Sequence, residues 1–210
     1  MVALDALGRG CLSLGADVLG LQEVDVGLPR SGGRDLARIV ADATGLAVAF
    51  GAATTFGDGE YGNALLVRGS ITAVEVVPLP SPRRHEPRSV LVASVDLAGG
   101  PSLTVAVTHL SYNREEAVAQ LPLAIDALAG RAGPRILLGD LNLETAQVAP
   151  VITAAGLHLV RAGGATFSAR WPRRRIDHMA LAGLSSGAAS TPRLPVSDHR
   201  ALVVEVAAPR

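Results

Sequence analysis

Six short stretches of this chain place a residue able to do chemistry at the end of an apolar run. "VLGLQEVD" closes on Glu23, and "YGNALLV" opens with Asn63. "LTVAVTHL" runs into His109, and "RILLGDLN" into Asp140 and Asn142. "RRRIDHMAL" carries Asp177 into an apolar stretch, and "PVSDHRALVVEV" sets Asp198 and His199 ahead of the last one. Any one of these residues is as readily a cap, a turn or a surface group. Together they point to one place, because strand ends meet at one rim of a sheet, where loops carry chemistry on a rigid scaffold.

The residue types agree on one task. Glu23, Asp140 and Asp198 are hard oxygen donors of the kind Mg²⁺ prefers, with Mn²⁺ as a substitute, and such a site needs only one or two carboxylates plus waters. His109 and His199 can donate hydrogen bonds to phosphate oxygens. Asp177 is suited to fix the tautomer of a nearby histidine and hold it positive. Asn63 and Asn142 supply amide donors for non-bridging oxygens and can orient a nucleophile. Arg88, opening "RSVLVASV", is either a phosphate clamp or an exposed strand-end charge, and Tyr112, just past His109, is a candidate site aromatic. Metal-assisted attack of water on a phosphoester needs this set of parts.

Other residues carry weaker signals. Arg170, Arg173, Arg174 and Arg175 crowd around Trp171. They form either a lip for an anionic substrate, with Trp171 stacked on a base, or a solvated loop. Arg30, in "LPRSGGRD", is a further substrate candidate. His85 and His158 read as surface or satisfied polar groups, and Asp25, Asp42 and Glu60 as solvated ones.

The elements that must position these residues follow from hydrophobic period. Helices are expected up to about Leu14, over 33–44, where Leu36, Ile39, Val40 and Ala43 share a face, over 114–129, with Pro122 inside, and over 145–155. Strands are expected over 18–24, 48–53, 63–67, 71–79, 89–97, 103–109, 176–181 and 201–206. In "RILLGDLN" the run Ile136, Leu137 and Leu138 reads as a strand covered on both faces, and Gly139 reads as a bend after it. Stretches 78–87, 161–174 and 183–195 read as loops. Strands outnumber helices and several are joined by short connections, so the class is α/β with mixed sheets rather than a regular doubly wound parallel sheet.

The 210 residues fit one domain spanning 1–210. Formal net charge is +0 and aromatics are 3%, which disfavours a protein that grips long nucleic acids through a broad positive field. The basic residues are all arginine. One cysteine, Cys11, excludes an internal disulfide or a multi-cysteine metal site. No apolar stretch is long enough to span a bilayer, and no basic-then-apolar signal precedes the first helix, so the expected location is cytoplasmic.

The ordered set "LQEVD", "YGNALL", "THL", "GDLN", "RIDHMA" and "SDHRAL" resembles the endonuclease/exonuclease/phosphatase superfamily of Mg²⁺-dependent phosphoesterases, from about Leu14 to Val206. The resemblance implies a four-layer sandwich, with two packed mixed sheets flanked by helices, and hydrolysis of a phosphomono- or phosphodiester by activated water. It makes Glu23 the principal metal ligand, with Asp198 helping. Asp140 becomes the group that orients or deprotonates water, and Asn142 its partner. His199 paired with Asp177 would stabilise the transition state, and His109 and Asn63 would contact the phosphate. The implied partner is a phosphorylated small molecule, a lipid headgroup or a nucleic acid. Oligomeric state is left open.

One departure stands out. Family members open with a strand that carries an asparagine, and no residue here matches it. The strand over 18–24 is therefore expected to lack a neighbour on one side. Restoring about 25–30 residues there is expected to raise both stability and activity. The alternative function, from a different class, is a catalytically impaired homologue that keeps the fold and binds a ligand or partner.

Overall fold

A computed structural model describes residues 4–208. The chain runs α1 (Leu4–Ser13), β1 (Val18–Leu28), a 3₁₀ turn (Pro29–Ser31), β2 (Arg34–Asp35) and α2 (Leu36–Thr44). Five strands follow: β3 (Ala47–Phe56), β4 (Gly59–Val67), β5 (Gly69–Leu79), β6 (Arg88–Leu97) and β7 (Ser102–His109). Then come α3 (Arg114–Asp126), β8 (Arg135–Asp140), α4 (Thr145–Ala154), β9 (His158–Leu159), β10 (Asp177–Ala182), β11 (Ser185–Ser190) and β12 (Val203–Ala207). The helix starts are specified locally. Asp35 accepts a hydrogen bond from the Arg38 backbone N–H at 2.9 Å, Asn113 accepts from those of Glu115 and Glu116, and Gln147 accepts from that of Glu144. Each satisfies an N–H that the first helical turn leaves free.

Two sheets face each other. The smaller has the order β2-β1-β4-β3, and its pairings are antiparallel. The larger has the order β5-β6-β7-β8-β10-β9, and its β7–β8 pair is parallel. Only the larger sheet is mixed, which narrows the expectation of two mixed sheets. Residues of α1 and α2 pack against Leu19, Val24, Ala64 and Leu66 on the outer face of the small sheet. Those of α3 and α4 pack against Val90, Val92, Ala106, Leu137 and Ala180 on the outer face of the large one. Leu65, Val67, Leu91, Val105, Val107, Ile136, Leu138 and Leu181 fill the space between the sheets.

That inner layer determines where the chemistry goes. Side chains alternate along a strand, so the residue two beyond the last inner apolar one lies in the same layer, at its rim. Val105 and Val107 are followed by His109, and Ile136 and Leu138 by Asp140. On strands running the other way, Asn63 precedes Leu65 and Ser89 precedes Leu91. The register then sets His109 beside Asp140 and Asp140 beside Asp177.

Several elements depart from the sequence reading. Gly139 does not bend the chain out of the sheet. It pairs with both Thr108 and His178 inside β8, and its φ of 143° and a Thr108 oxygen 1.9 Å from where a Cβ would stand make glycine the residue required. The stretch 183–195 is not all loop, because Ser185–Ser190 pairs with β12 to form a separate hairpin. Its Ser, Gly and Ala residues carry no β-branched signal that could announce a strand. Two-residue strands β2 and β9 were equally silent. The edge is as expected: among the described residues, β1 pairs only with β4 from Val18 to Val24, and β2 joins it at Val26 and Leu28.

Candidate active site

Asp140 is the hub. The chain turns sharply after β8, with Asn142 in the left-handed region at φ 52°, a conformation that Asn tolerates better than most residues. The turn closes locally: the Asn142 backbone N–H donates to Asp140 Oδ1 at 2.8 Å. Oδ2 is thereby left toward His109 Nε2 at 3.4 Å and His199 Nε2 at 3.8 Å. The Asn142 amide donates to the Leu110 carbonyl at 3.0 Å and lies 3.2 Å from His109 Nε2. Across the sheet, His199 Nδ1 lies 2.8 Å from Asp177 Oδ2, and the Phe167 ring packs against the imidazole with centroids 5.0 Å apart.

Protonation follows from these neighbours. Burial, together with the nearby Asp177 charge, pushes the Asp140 carboxyl up to about 7, against the opposing Asn142 N–H. Burial disfavours charge on His199, but the hydrogen bond and charge of Asp177, and the charges of Asp140 and Asp198, outweigh it and raise the imidazole to about 9. His109 goes the other way. Burial first, then the charges of Arg88 and His199, bring it down to about 3, so it is neutral at ordinary pH.

Glu23 reaches the site by a β-bulge. Register shifts between Leu21 and Val24, so Gln22 and Glu23 together oppose Asn63. Glu23 sits at φ 56°, and its Oε1 is 3.9 Å from His109 Nδ1. A small cleft behind it is lined by Tyr61, Asn63, Arg88, Ser89 and His109. Asn63 is fixed there by donating to the Ser89 carbonyl at 3.1 Å.

Among the described residues, one group can bring ligand atoms within 4.8 Å of one another: Asp140, Asp177 and His199. Glu23 and Asp198, the ligands expected from sequence, fall outside it. The Glu23 side chain is 67% exposed beside His109, and Asp198 is close enough to His199 to favour its charge. Two neighbouring carboxylates, one with its proton affinity raised by burial and then by the other's charge, suit a hard divalent cation, which would relieve that repulsion. His199 is held protonated by its neighbours, so it suits a donor role better than a ligand role.

The other candidates divide. Arg88 is buried rather than exposed, and it turns to His109 and Glu86. Tyr112 is 70% exposed and lies beside the His85 ring outside the cleft. His85 is paired with Glu116, as a satisfied polar group should be. Trp171 is also 70% exposed, on a loop closed by hydrogen bonds between Phe167 and Arg174. Asp25 corrects the sequence reading: it is buried and held by both ends of the Arg30 guanidinium, at 2.9 and 2.6 Å, rather than solvated. Arg30 also lies over the Tyr61 ring at 5.1 Å. The sequence reading missed Tyr61, Ser89 and His178. Alternation from Asn63 and Leu91 points to the first two. The third, buried and donating to the Leu143 carbonyl at 2.8 Å, braces the turn after Asp140 and has no local signature.

Residues 2–199 match the model of the Endonuclease/Exonuclease/phosphatase family. The chain belongs to this family. A search of curated proteins finds no match. Solved structures of the same fold include an endonuclease/exonuclease/phosphatase protein from Beutenbergia cavernae, with 23% identity, a TM-score of 0.80, and 99% of this chain and 67% of that one covered. A mannosyl-6-phosphatase from Bacteroides thetaiotaomicron aligns with 16% identity and a TM-score of 0.78, over 97% of this chain and 90% of its own. TDP2 from D. rerio, in complex with a single-strand DNA product, aligns with 19% identity and a TM-score of 0.75, over 99% and 94%. At these identities the likeness of this family member to each is one of fold.

Proposed function

We propose that this protein is a metal-dependent phosphoric ester hydrolase that uses an activated water. The observation that supports this most is the single register row Asp177, Asp140 and His109, with His199 hydrogen-bonded to its first member at 2.8 Å. Asp140, with its raised proton affinity, is placed to orient a water and take its proton at Oδ2. His199, protonated and held by Asp177, presents Nε2–H to a non-bridging phosphate oxygen, and Asn142 and Asn63 add amide donors. The family's divalent ion would polarise the phosphoryl group and ease ionisation of water. Asp140 and Asp177 are the carboxylates close enough to share it, and Glu23 and Asp198 are the ligands that the resemblance implies.

Mg²⁺ is the expected ion, with Mn²⁺ as substitute, and the substrate is a phosphorylated small molecule, a lipid headgroup or a nucleic acid. The family spans phosphatases and nucleases, so the test is a panel. It comprises p-nitrophenyl phosphate, bis(p-nitrophenyl) phosphate, a hexose 6-phosphate, a sphingomyelin-type headgroup and a single-stranded oligonucleotide, each with Mg²⁺, Mn²⁺ or EDTA. Turnover of at least one ester that needs the ion supports the proposal. Turnover unaffected by EDTA, or none with either metal on any ester, refutes it.

A further inference from the structure

Arg88 is turned toward His109 rather than toward solvent. It is only 6% exposed, and its Nη1 lies 3.0 Å from His109 Nδ1 and 2.6 Å from Glu86 Oε1. A guanidinium donates and cannot accept. The Nδ1 it faces must therefore be a lone pair, and the one proton of a neutral imidazole must sit on Nε2. The surroundings of Nε2 make this choice consequential. Asp140 Oδ2, an acceptor, is 3.4 Å away, and the Asn142 amide nitrogen, a donor, is 3.2 Å away. That amide cannot turn its oxygen inward without losing its 3.0 Å bond to the Leu110 carbonyl. Arg88 and Asn142 therefore compete to donate to one ring that has a single acceptor nitrogen. The buried, permanently charged guanidinium makes the stronger hydrogen bond.

We infer that Arg88 is a positioning residue that fixes His109 in the Nε2–H tautomer, so that the ring offers an N–H to the Asp140 side of the site rather than a lone pair. The inference deepens the proposed hydrolase and rests on that reading for its catalytic meaning, though the tautomer itself does not. Glu86 Oε1, 2.6 Å from the guanidinium, offsets the buried charge. With the other tautomer, a lone pair would face Asp140, and both the carboxylate and an arriving phosphate oxygen would meet repulsion instead of a donor.

The test is imidazole ¹⁵N NMR on the full chain, labelled with ¹⁵N, without metal and at one neutral pH, using two-bond correlations to the ring protons. The His109 signals are assigned by their loss in His109→Gln. The expected wild-type pattern is a pyridine-like Nδ1 and a pyrrole-like Nε2. Arg88→Met should abolish that pattern in favour of a tautomer mixture or the Nδ1–H form, and Arg88→Lys, which keeps a donor, should restore it at least in part. A wild-type ring with a proton on Nδ1 overturns the inference even if Arg88→Met does not fold, and so does an Arg88→Met ring that keeps the wild-type pattern. With Mg²⁺ and bis(p-nitrophenyl) phosphate, Arg88→Met should lower kcat at least tenfold with KM within about threefold, whereas a phosphate clamp would raise KM. If the wild type turns over no ester, the hydrolase reading fails while the NMR still decides the tautomer.

Discussion

His199 Nδ1 donates to Asp177 Oδ2 at 2.8 Å, although 21 residues, with the rest of β10, then β11 and the loop after it, separate the two in the chain. Phe167 holds the ring from the side, and Asp140 faces its other nitrogen at 3.8 Å. This pairing makes His199 a cation at neutral pH.

Removing the partner charge should therefore be read in a pH profile. In the wild type, Asp140 must be ionised and His199 protonated, so the rate should be bell-shaped, with an alkaline limb at about 9. The acid limb should lie below the ion-free value of about 7, because a bound cation favours the carboxylate. Asp177→Asn keeps the shape but removes the charge that raises His199. The alkaline limb should move to lower pH and kcat should fall by roughly 10²–10⁴. An alkaline limb left in place would show that His199 is not the titrating acid.

Much of this site was legible because strand period and site chemistry coincide. Asp140, His109, Asn63 and Asp177 each continue the alternation of an inner apolar face, so the sequence shows both that they are special and which way they point. The direction of Arg88 was not legible, since the same position at a strand start serves a buried or an exposed charge, and only the neighbouring His109 decides. Nor was the burial of Asp25, which pairs with Arg30 where that side chain lies over Tyr61. The β11–β12 hairpin was hidden for a different reason. Its first strand lacks the β-branched residues that mark the others, and its pairing comes from β12.

Changing Glu23 to Gln should remove most activity and leave the fold intact. The side chain is largely exposed and its backbone conformation is set by the bulge, which Gln can occupy equally well. The expected result is a loss of Mg²⁺ affinity by titration calorimetry, with stability within about 0.5 kcal/mol of wild type. Unchanged Mg²⁺-dependent turnover would remove Glu23 from the site.

Asp140 also makes a prediction about stability without metal. Its folded-state pKa lies above the ordinary 3.8, at about 7, so the folded chain binds this proton more tightly than the unfolded one. Stability contributed by the group is full below about 4 and is lost as pH rises toward 7. Asp140→Asn, which keeps an acceptor for the Asn142 N–H, should flatten that fall. Chemical denaturation in EDTA at pH 5 and pH 8 should show a smaller drop in the variant, and an equal drop would mean that Asp140 ionises freely in the folded chain.

Gly139→Ala tests how the rim is built. The added methyl would meet the Thr108 carbonyl of the neighbouring strand at 1.9 Å, at a φ of 143° that alanine avoids. The parallel β7–β8 pairing must open where it delivers His109 and Asp140. A loss of at least about 3 kcal/mol in denaturant unfolding is expected, and a near-neutral variant would show that the two strands can separate there without cost.

The edge of β1 gives the last prediction. The Arg68 backbone N–H donates to the Asp17 carbonyl at 2.7 Å, and the register continues from there as Val18 with Val67 and Leu19 with Leu66. In an antiparallel ladder, bonded pairs alternate, so Leu19 and Leu21 direct their backbone groups at β4. Val18 and Gly20 direct theirs away from it, to the side where β1 has no strand partner among the described residues. Hydrogen exchange should divide accordingly, with slow amides at Leu19 and Leu21 and amides at least tenfold faster at Val18 and Gly20. A strand supplied from elsewhere, such as a second molecule, would pair those groups and slow all four alike, because an unpaired backbone polar group kept from water costs on the order of 1–3 kcal/mol. Uniformly slow exchange at low protein concentration would instead show that this edge is already covered within the chain.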